Sequence, residues 1–264
     1  MRMNKPIARV LFGVVLCGIA TTSRVQADAI PISQSLATPN MSAATFNSLF
    51  QPVSNAPVMS SPFTFQDAPT SGVIQSQVFQ GSGAAAGYYA YAYQVDVSNV
   101  KTTVGEPVHV DGLGFQFNAT PSGTTFLGGS TPAYAYVVTD GQVGGITTPA
   151  GGTAVVPASL TWNPGTTIGG IRAQFYDPAS SSPSLGAGSD SATFVIIAKQ
   201  PFTEQFVNIA STVPTSVPFT PVYSAQGGTI SPIAAPEPAS VLAWTGVVGA
   251  LFVIRRVRRR TSAA

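Results

Sequence analysis

The one histidine of the chain, His109, is the residue best suited to acid–base or metal chemistry. Asp111 follows two residues later, and on an extended strand the two side chains point to the same side. Two ligands on one strand are an incomplete set for a metal ion, and a Ser-His-Asp triad would have to be built around this histidine. We interpret the pair as a polar, solvent-facing edge of a strand whose Val108 and Val110 face the core.

Other catalytic arrangements lack the neighbours that their chemistry needs. Sequence spacing pairs no two of the ten acids as a glycosidase requires, and most of the acids are expected at turns or strand ends. The loops Gly81-Ser82-Gly83 and Gly144-Gly145 lack the lysine or helix that completes a phosphate cradle. The only cysteine, Cys17, lies in the apolar N-terminal segment. We therefore predict no catalytic residue, no metal site and no cofactor, with a secreted hydrolase as the least favoured alternative.

Tyrosines are concentrated in the middle of the chain, where two interpretations are open. Together with Trp162 they could form an aromatic platform that stacks against sugar rings. They could also pack in a core and across neighbouring strands, since tyrosine suits β-structure. We favour packing and keep the binding of extracellular polysaccharide as the alternative function. The residues concerned are Tyr88, Tyr89, Tyr91, Tyr93, Tyr134 and Tyr136.

Charge is segregated along the chain, so the formal net charge of +2 misleads. The lysines and arginines are concentrated before position 28 and after position 254. Between these limits Lys101, Arg172 and Lys199 stand against all ten acids, which gives this part a net charge of −7. Nucleic-acid binding needs clustered lysine and arginine, so we exclude nucleic acid as a partner.

The part of the chain between the two ends has the periodicity of β-strands. Residues 88–97 alternate between large and small or polar side chains, which is the pattern of a half-buried strand. Residues 108–117 predict a second strand with a bulge or bend at Gly112 or Gly114. Further strands are predicted at 73–79, 133–139, 153–162, 168–176, 192–198 and 202–209. This pattern predicts an all-β fold, a single antiparallel β-sandwich of immunoglobulin-like or jelly-roll topology.

Composition sets the limits of this domain. We predict that the β-sandwich covers residues 67–211. Residues 28–66 form an irregular lead-in, with one short helix near 43–50 that Ser42 could cap. Residues 212–235 are rich in proline, glycine, serine and threonine, which is typical of a flexible linker.

Residues 1–27 are typical of a secretory signal peptide. A basic start precedes an apolar stretch at 10–20, which is too short for a retained membrane-spanning helix. Val25 and Ala27 are small residues at the positions that a signal peptidase inspects. We predict cleavage between Ala27 and Asp28, which removes the only cysteine and leaves the exported protein without thiols.

Three features follow one another at the other end of the chain. The tripeptide Pro236-Glu237-Pro238 is stiff and extended, because its two prolines fix φ. An apolar run at 239–254 would span about 24 Å as a helix, somewhat less than a ~30 Å hydrocarbon core. Arginine snorkelling and local thinning can cover the difference. The basic tail that holds the C-terminus on the cytoplasmic side consists of Arg255, Arg256, Arg258, Arg259 and Arg260.

This succession resembles the PEP-CTERM sorting signal, a region also labelled as an ice-binding protein C-terminal domain. The resemblance covers residues 235–262, and it includes the small residues Gly246 and Gly249 of the apolar run. Ala235 departs from the family, which often has valine there. The resemblance implies membrane insertion, recognition by an exosortase and processing near Pro-Glu-Pro, with residues 236–262 as the sorting segment. It does not imply ice binding.

These expectations combine into a functional hypothesis. The resemblance implies an origin in a bacterium that makes extracellular polysaccharide, with signal peptidase, exosortase and the membrane as partners. The chain would first be anchored in the inner membrane with its C-terminus in the cytoplasm. It would then reach the cell surface or the extracellular space as a non-enzymatic envelope or biofilm-matrix protein. A simple single-pass anchor that is never processed remains the alternative, because it needs the same helix at 239–254.

Overall fold

The structure, a computed structural model, describes residues 33–66, 68–101, 108–149, 153–165, 168–176, 184–212, 215–216 and 220–227. These residues contain one α-helix, α1 (Ala43–Leu49), and a turn of 3-10 helix at Gly83–Ala85. Their strands are β1 (Gln34–Ser35), β2 (Phe50–Pro52), β3 (Met59–Phe65), β4 (Ser71–Gly81), β5 (Tyr89–Asp96), β6 (His109–Gln116), β7 (Ala135–Val138), β8 (Gly141–Val143), β9 (Ile146–Thr148), β10 (Ser159–Asn163), β11 (Gly170–Gln174), β12 (Leu185–Gly186), β13 (Thr193–Ala198), β14 (Phe202–Ser211), β15 (Thr215–Ser216) and β16 (Pro221–Ala225).

The strands form two large sheets and one separate hairpin. Sheet A has the order β1-β10-β11-β6-β14-β16, with β12 also paired to β6. Sheet B has the order β15-β3-β4-β5-β13-β7, with β2 also paired to β4, and β8 pairs only with β9 among the described residues. The pairings between these strands are antiparallel, which confirms the all-β, antiparallel fold class.

A central core joins side chains of the two sheets. The Tyr93 ring of sheet B lies 4.6 Å from the Phe115 ring of sheet A, measured between centroids. Its hydroxyl donates a hydrogen bond of 2.7 Å to the backbone oxygen of Tyr223 in β16. Trp162 of β10 is fully buried in the same core. The buried phenol of Tyr93 therefore has a hydrogen-bond partner inside the protein, as a buried tyrosine usually requires.

A second cluster, called the outer cluster below, covers the opposite face of sheet B. Its centre is Phe46 of α1, whose ring packs 5.1 Å from Phe50 and 4.9 Å from Phe79. Ala90 and Ala92 of β5 line the sheet beneath these rings, and their small side chains leave room for them. The middle strands β5 and β13 of sheet B are therefore buried on both faces apart from the ends of β5, and polar residues on the covered face, such as Gln94, are buried with them.

The helix of this cover begins where the sequence predicts it. Ser42 is the N-cap, and its hydroxyl accepts a hydrogen bond of 3.1 Å from the backbone N–H of Thr45. This bond satisfies one of the donors that a helix start leaves unpaired. The side chain of Asn47 donates to the backbone oxygen of Gln142 in β8 at 2.8 Å, which ties the helix to the hairpin beside it.

The strands predicted from sequence are confirmed as β4, β5, β6, β7, β10, β11, β13 and β14, although β10 begins at Ser159 and not at the predicted position 153. The predicted half-buried character of β5 is wrong, because Ala90 through Val95 are all buried. The alternation places Tyr91, Tyr93 and Val95 in the central core, but the intervening residues also lie under a cover. An alternation of residue types with period 2 distinguishes the two faces of a strand. It does not show whether the second face is exposed to solvent.

The predicted limits of the β domain, 67 and 211, are too narrow. The lead-in at 28–66 supplies β1, β2 and β3, and β3 pairs along its length with β4. The proline-rich segment at 212–235 supplies β15 and β16. Val222 and Ala225 of β16 are fully buried, so this part of the segment belongs to the core.

The two predicted terminal helices lie outside the described residues. This applies to the signal segment at 1–27 and to the apolar run at 239–254. Among the residues that are described, no helix combines the length and the apolar character needed to cross a membrane.

Candidate functional site

The residues predicted to direct sorting and cleavage also lie outside the described part of the chain. Their roles therefore stay predictions from sequence. They are Ala27 and Asp28 at the signal junction, Pro236, Glu237 and Pro238 in the processing motif, and Arg255, Arg256, Arg258, Arg259 and Arg260 in the tail.

His109 and Asp111 meet as their spacing predicts. The Nδ1 atom of His109 lies 2.9 Å from Oδ1 of Asp111, and both side chains are partly exposed. The pairing with β14 shifts register here, because Ala210 pairs with Gly112 and Ser211 with Val110. The bulge therefore lies at Asp111, one residue before the predicted Gly112.

The polar pair has few neighbours that could extend it into a site. Among the described residues, no group of three His, Cys, Asp or Glu side chains is close enough to hold a metal ion. The Asp111 backbone oxygen accepts bonds from the N–H groups of Phe175 and Tyr176, so the bulge is held by the neighbouring strand end. The observed geometry fits the sequence interpretation of a polar edge on β6.

Four of the seven rings of the alternative aromatic platform are inside the protein, and Tyr88, Tyr89 and Tyr134 are partly exposed. Tyr91, Tyr93, Tyr136 and Trp162 are buried, with at most 1% of their surface exposed. Burial, followed by the charge of Tyr91, raises the pKa of Tyr93, so its phenol remains a neutral hydrogen-bond donor. Packing is the function of these four rings, and they leave no face for a sugar.

Two carboxyl groups that sequence spacing does not connect form a pair at one end of sheet B. Asp96 ends β5, and Asp190 lies in the turn before β13, where the two residues form an isolated antiparallel bridge. Their side chains are hydrogen-bonded to each other. The hydroxyl and the backbone N–H of Ser98 also donate to Oδ1 of Asp96, at 2.6 and 2.9 Å.

The surroundings of this pair shift the pKa values of Asp96 and Asp190 in opposite directions. Burial raises the pKa of Asp190 to about 7, and the hydrogen bond with Asp96 and its charge act in the same direction. Burial would also raise the pKa of Asp96, but the hydrogen bonds from Asp190 and Ser98 outweigh it and lower the pKa. One proton is therefore shared, with Asp190 as its donor. A direct hydrogen bond is closer than the carboxyl separations of about 5–9.5 Å that glycoside hydrolysis uses.

Two surface depressions complete the candidate sites. One, of about 310 Å³, lies on the outer face of sheet A and is lined by Gly112, Gly114, Arg172, Asn208 and other residues of three adjacent strands. The other, of about 400 Å³, lies between the loops at 82–88 and 123–128, and Tyr88 and Phe126 line it. We call this second one the loop depression.

Sequence reasoning missed the carboxyl pair and the loop depression for the same reason. Asp96 and Asp190 are 94 positions apart, and only the strand pairing brings them together. Tyr88 is among the predicted tyrosines, but Phe126 and Lys199 carry no local signal that would connect them to it. The sequence offered one useful signal, the scarcity of lysine and arginine between positions 28 and 254. It draws attention to Lys101, Arg172 and Lys199.

Comparison with known proteins identifies no relative of this chain. No protein-family model, no curated protein and no solved structure matches this chain.

Proposed function

We propose that this chain is an exported cell-envelope or extracellular-matrix protein, delivered by an exosortase and serving a non-enzymatic role. The observation that carries the proposal is the order of three features at 236–260: Pro-Glu-Pro, an apolar run and a cluster of arginines. Each feature is common on its own. Their succession near the C-terminus, behind a predicted signal peptide at 1–27, is the combination that the sorting hypothesis requires.

The body of the protein suits a location outside the cytoplasm. Its described part contains no cysteine, so disulfides do not contribute to its stability. Two hydrophobic clusters take their place, one between the sheets and one on the outer side of sheet B. Residues 28–254 carry a net charge of −7. A charge of this size would help to keep the body soluble beside an anionic surface.

We further propose that the fold is a single β-sandwich of immunoglobulin-like or jelly-roll topology. The core shared by Tyr93 and Phe115 across the sheets supports this proposal. So does the path of the chain, which leaves sheet B after β5, enters sheet A at β6 and returns to sheet B at β7. Frequent crossings of this kind are typical of Greek-key sandwiches.

The sorting proposal can be tested by changing the processing motif in a host that has an exosortase. Replacement of Pro236, Glu237 and Pro238 by alanine is expected to keep the protein in the inner-membrane fraction. Pro232→Ala, which changes a proline of the linker just before the motif, serves as the matched control and should be released like the wild type. Immunoblots of membrane, surface and medium fractions measure the distribution. Release of the triple variant at the wild-type level would show that the motif does not direct processing.

Binding of extracellular polysaccharide remains the second candidate function. The buried strand tyrosines do not support it, since they have no exposed face. The observation that favours it is the loop depression, where Tyr88 is only partly buried and a lysine lies beside it.

A further inference from the structure

The loop depression is built around two aromatic rings set at right angles. The centroids of Tyr88 and Phe126 are 6.0 Å apart, and the ring planes meet at 86°. Phe126 also packs against Phe50 and Tyr136 at 5.6 and 6.2 Å, so the outer cluster anchors it from behind. Both rings are partly exposed toward the depression. The site therefore offers apolar surface on a rigid support.

The loops around the depression are held by their own backbone. Tyr88 donates its N–H to the oxygen of Ala85 at 3.1 Å and accepts at its own oxygen from Gly81 at 2.8 Å. Gly87 has φ of +84° and Gly128 has φ of +76°, values that side-chain-bearing residues rarely adopt. These bends shape the depression in the free protein, and a preformed site loses less entropy when a ligand binds.

One lysine lies beside the depression, whose own lining residues carry no charge. The Nζ atom of Lys199 lies 5.4 Å from the centroid of the Tyr88 ring. The residues that line the depression include no acid: Ala84, Tyr88, Gly123, Thr124, Thr125, Phe126 and Gly128. Lys199 is exposed and has no ion pair within the described part of the chain, although acids outnumber bases there. An unpaired cation beside aromatic rings favours a ligand that carries a negative charge.

From these observations we infer that the loop depression binds a sugar ring bearing a carboxylate, as in a chain of uronic acids. The apolar C–H face of the ring packs on Tyr88 and Phe126, and the carboxylate pairs with Lys199. The exposed Thr125 and the phenol of Tyr88 are placed to bond sugar hydroxyls. A lipid chain fits less well, because threonine and glycine make up most of the remaining lining. The inference does not rest on the sorting proposal, since it concerns only the folded body.

Binding can be measured by isothermal titration of the full-length protein, purified in a mild detergent. The probes are a trisaccharide of galacturonic acid and the matched neutral trisaccharide of galactose. We expect the uronate to bind about tenfold more tightly than the neutral sugar, as a charge-assisted contact implies. Added salt should reduce this preference, because an exposed pair is screened.

Four variants separate the contribution of the charge from that of the stacking surface. Lys199→Gln should remove the tenfold preference, while Lys101→Gln, a lysine that follows the opposite end of β5, should keep it. Tyr88→Leu should weaken both sugars, because the stacking surface is lost, and Tyr88→Phe should retain most of the binding. Thermal unfolding by circular dichroism checks that each variant is folded.

Several outcomes would overturn the inference. Absence of uronate binding by the wild type at millimolar concentrations is one, and unchanged preference in a folded Lys199→Gln protein is another. An acidic peptide that competes as well as the uronate would assign the site to a different class of ligand.

Discussion

The outer faces of the two sheets differ in what covers them. On sheet A, strands β10, β11 and β14 alternate between buried and open positions, and Arg172 and Asn208 are exposed. On sheet B, helix α1 and the β8–β9 hairpin lie over β4, β5 and β13, and β5 and β13 are buried apart from the two end residues of β5. Exposed positions of sheet B lie on the outlying strands β2 and β3 and at the ends of β4. The same fold thus contains one sheet with a solvated outer face and one sheet whose middle strands are covered on both faces.

The polar contacts beneath the cover explain how it is held in place. Gln77 accepts a hydrogen bond of 2.9 Å from the N–H of Gly145, at the turn of the hairpin. Gln94 donates at 3.0 Å to the backbone oxygen of Thr147, and the hydroxyls of Thr148 and Thr193 bond at 2.6 Å. Buried glutamine and threonine on sheet B therefore serve as anchors for the hairpin, whereas similar residues on sheet A face solvent.

The largest expected effect comes from removing the centre of the cover. Phe46→Ala should lower the free energy of unfolding by about 3–5 kcal/mol, because it deletes a fully buried ring and leaves a cavity. Asn208→Ala, on the exposed face of sheet A, should change it by about 0.5 kcal/mol or less. Urea unfolding of the purified variants measures both. Equal small effects would mean that the outer cluster contributes little and that the two faces do not differ energetically.

A pair of glycines tests the same contrast on a smaller scale. Gly144 has φ of +57°, and an added Cβ would lie 2.4 Å from Gln77 and 2.6 Å from Phe79. Gly144→Ala should therefore cost about 2–3 kcal/mol through backbone strain and overpacking. At Gly114 of sheet A the nearest heavy atom would be 3.9 Å away, so Gly114→Ala should be within about 0.5 kcal/mol of the wild type. A neutral Gly144→Ala variant, by the same urea assay, would contradict the close packing of the hairpin.

The smallest expected effect concerns the carboxyl pair at the end of β5. The folded protein holds a proton on Asp190 up to about pH 7, whereas an unfolded chain releases it near the ordinary value of 3.8. The stability that Asp190 contributes is therefore greatest below about pH 4 and is lost as pH rises through 7. Since the site is partly exposed, we expect a loss of about 1 kcal/mol or less between pH 5 and 8.

The matched substitution isolates this contribution from other titrating groups. Asp190→Asn keeps the shape and a donor toward Asp96, so it should flatten the decline in unfolding free energy between pH 5 and 8. The lowered pKa of Asp96 acts in the other direction and only at lower pH, as its carboxylate becomes protonated. Asp140→Asn serves as an exposed control. A decline of the same slope in Asp190→Asn would show that the shared proton is not its source.

The fold class and the long strands could be predicted from sequence because their signals are local. Alternation over residues 88–97 marks β5, and Ser42 before an apolar run marks the start of α1. Strands of two or three residues, such as β1 and β15, are too short to show a period. The strand β16 was hidden by the prolines around it, which favoured a linker. The cover on sheet B is a tertiary feature, so the pattern of β5 could not reveal it.

The candidate sites divide in the same way. His109 and Asp111 are two residues apart, and their contact follows from the geometry of a strand. Lys199 and Tyr88 meet because β13 and β5 are antiparallel neighbours, with Ala198 opposite Tyr89. That register is set by packing of the sheets. Sequence alone could not separate packing from a tyrosine platform, because β-propensity and stacking surface favour the same residue type.

The most direct test of the sorting account is the intact mass of the mature protein, isolated from the surface of a producing cell with an exosortase. The account predicts a chain that begins at Asp28 and has lost Arg255–Ala264, with its new C-terminus near Pro236-Glu237-Pro238. A mature protein that still carries Arg255–Ala264 would contradict processing and would leave the predicted helix at 239–254 as a permanent anchor.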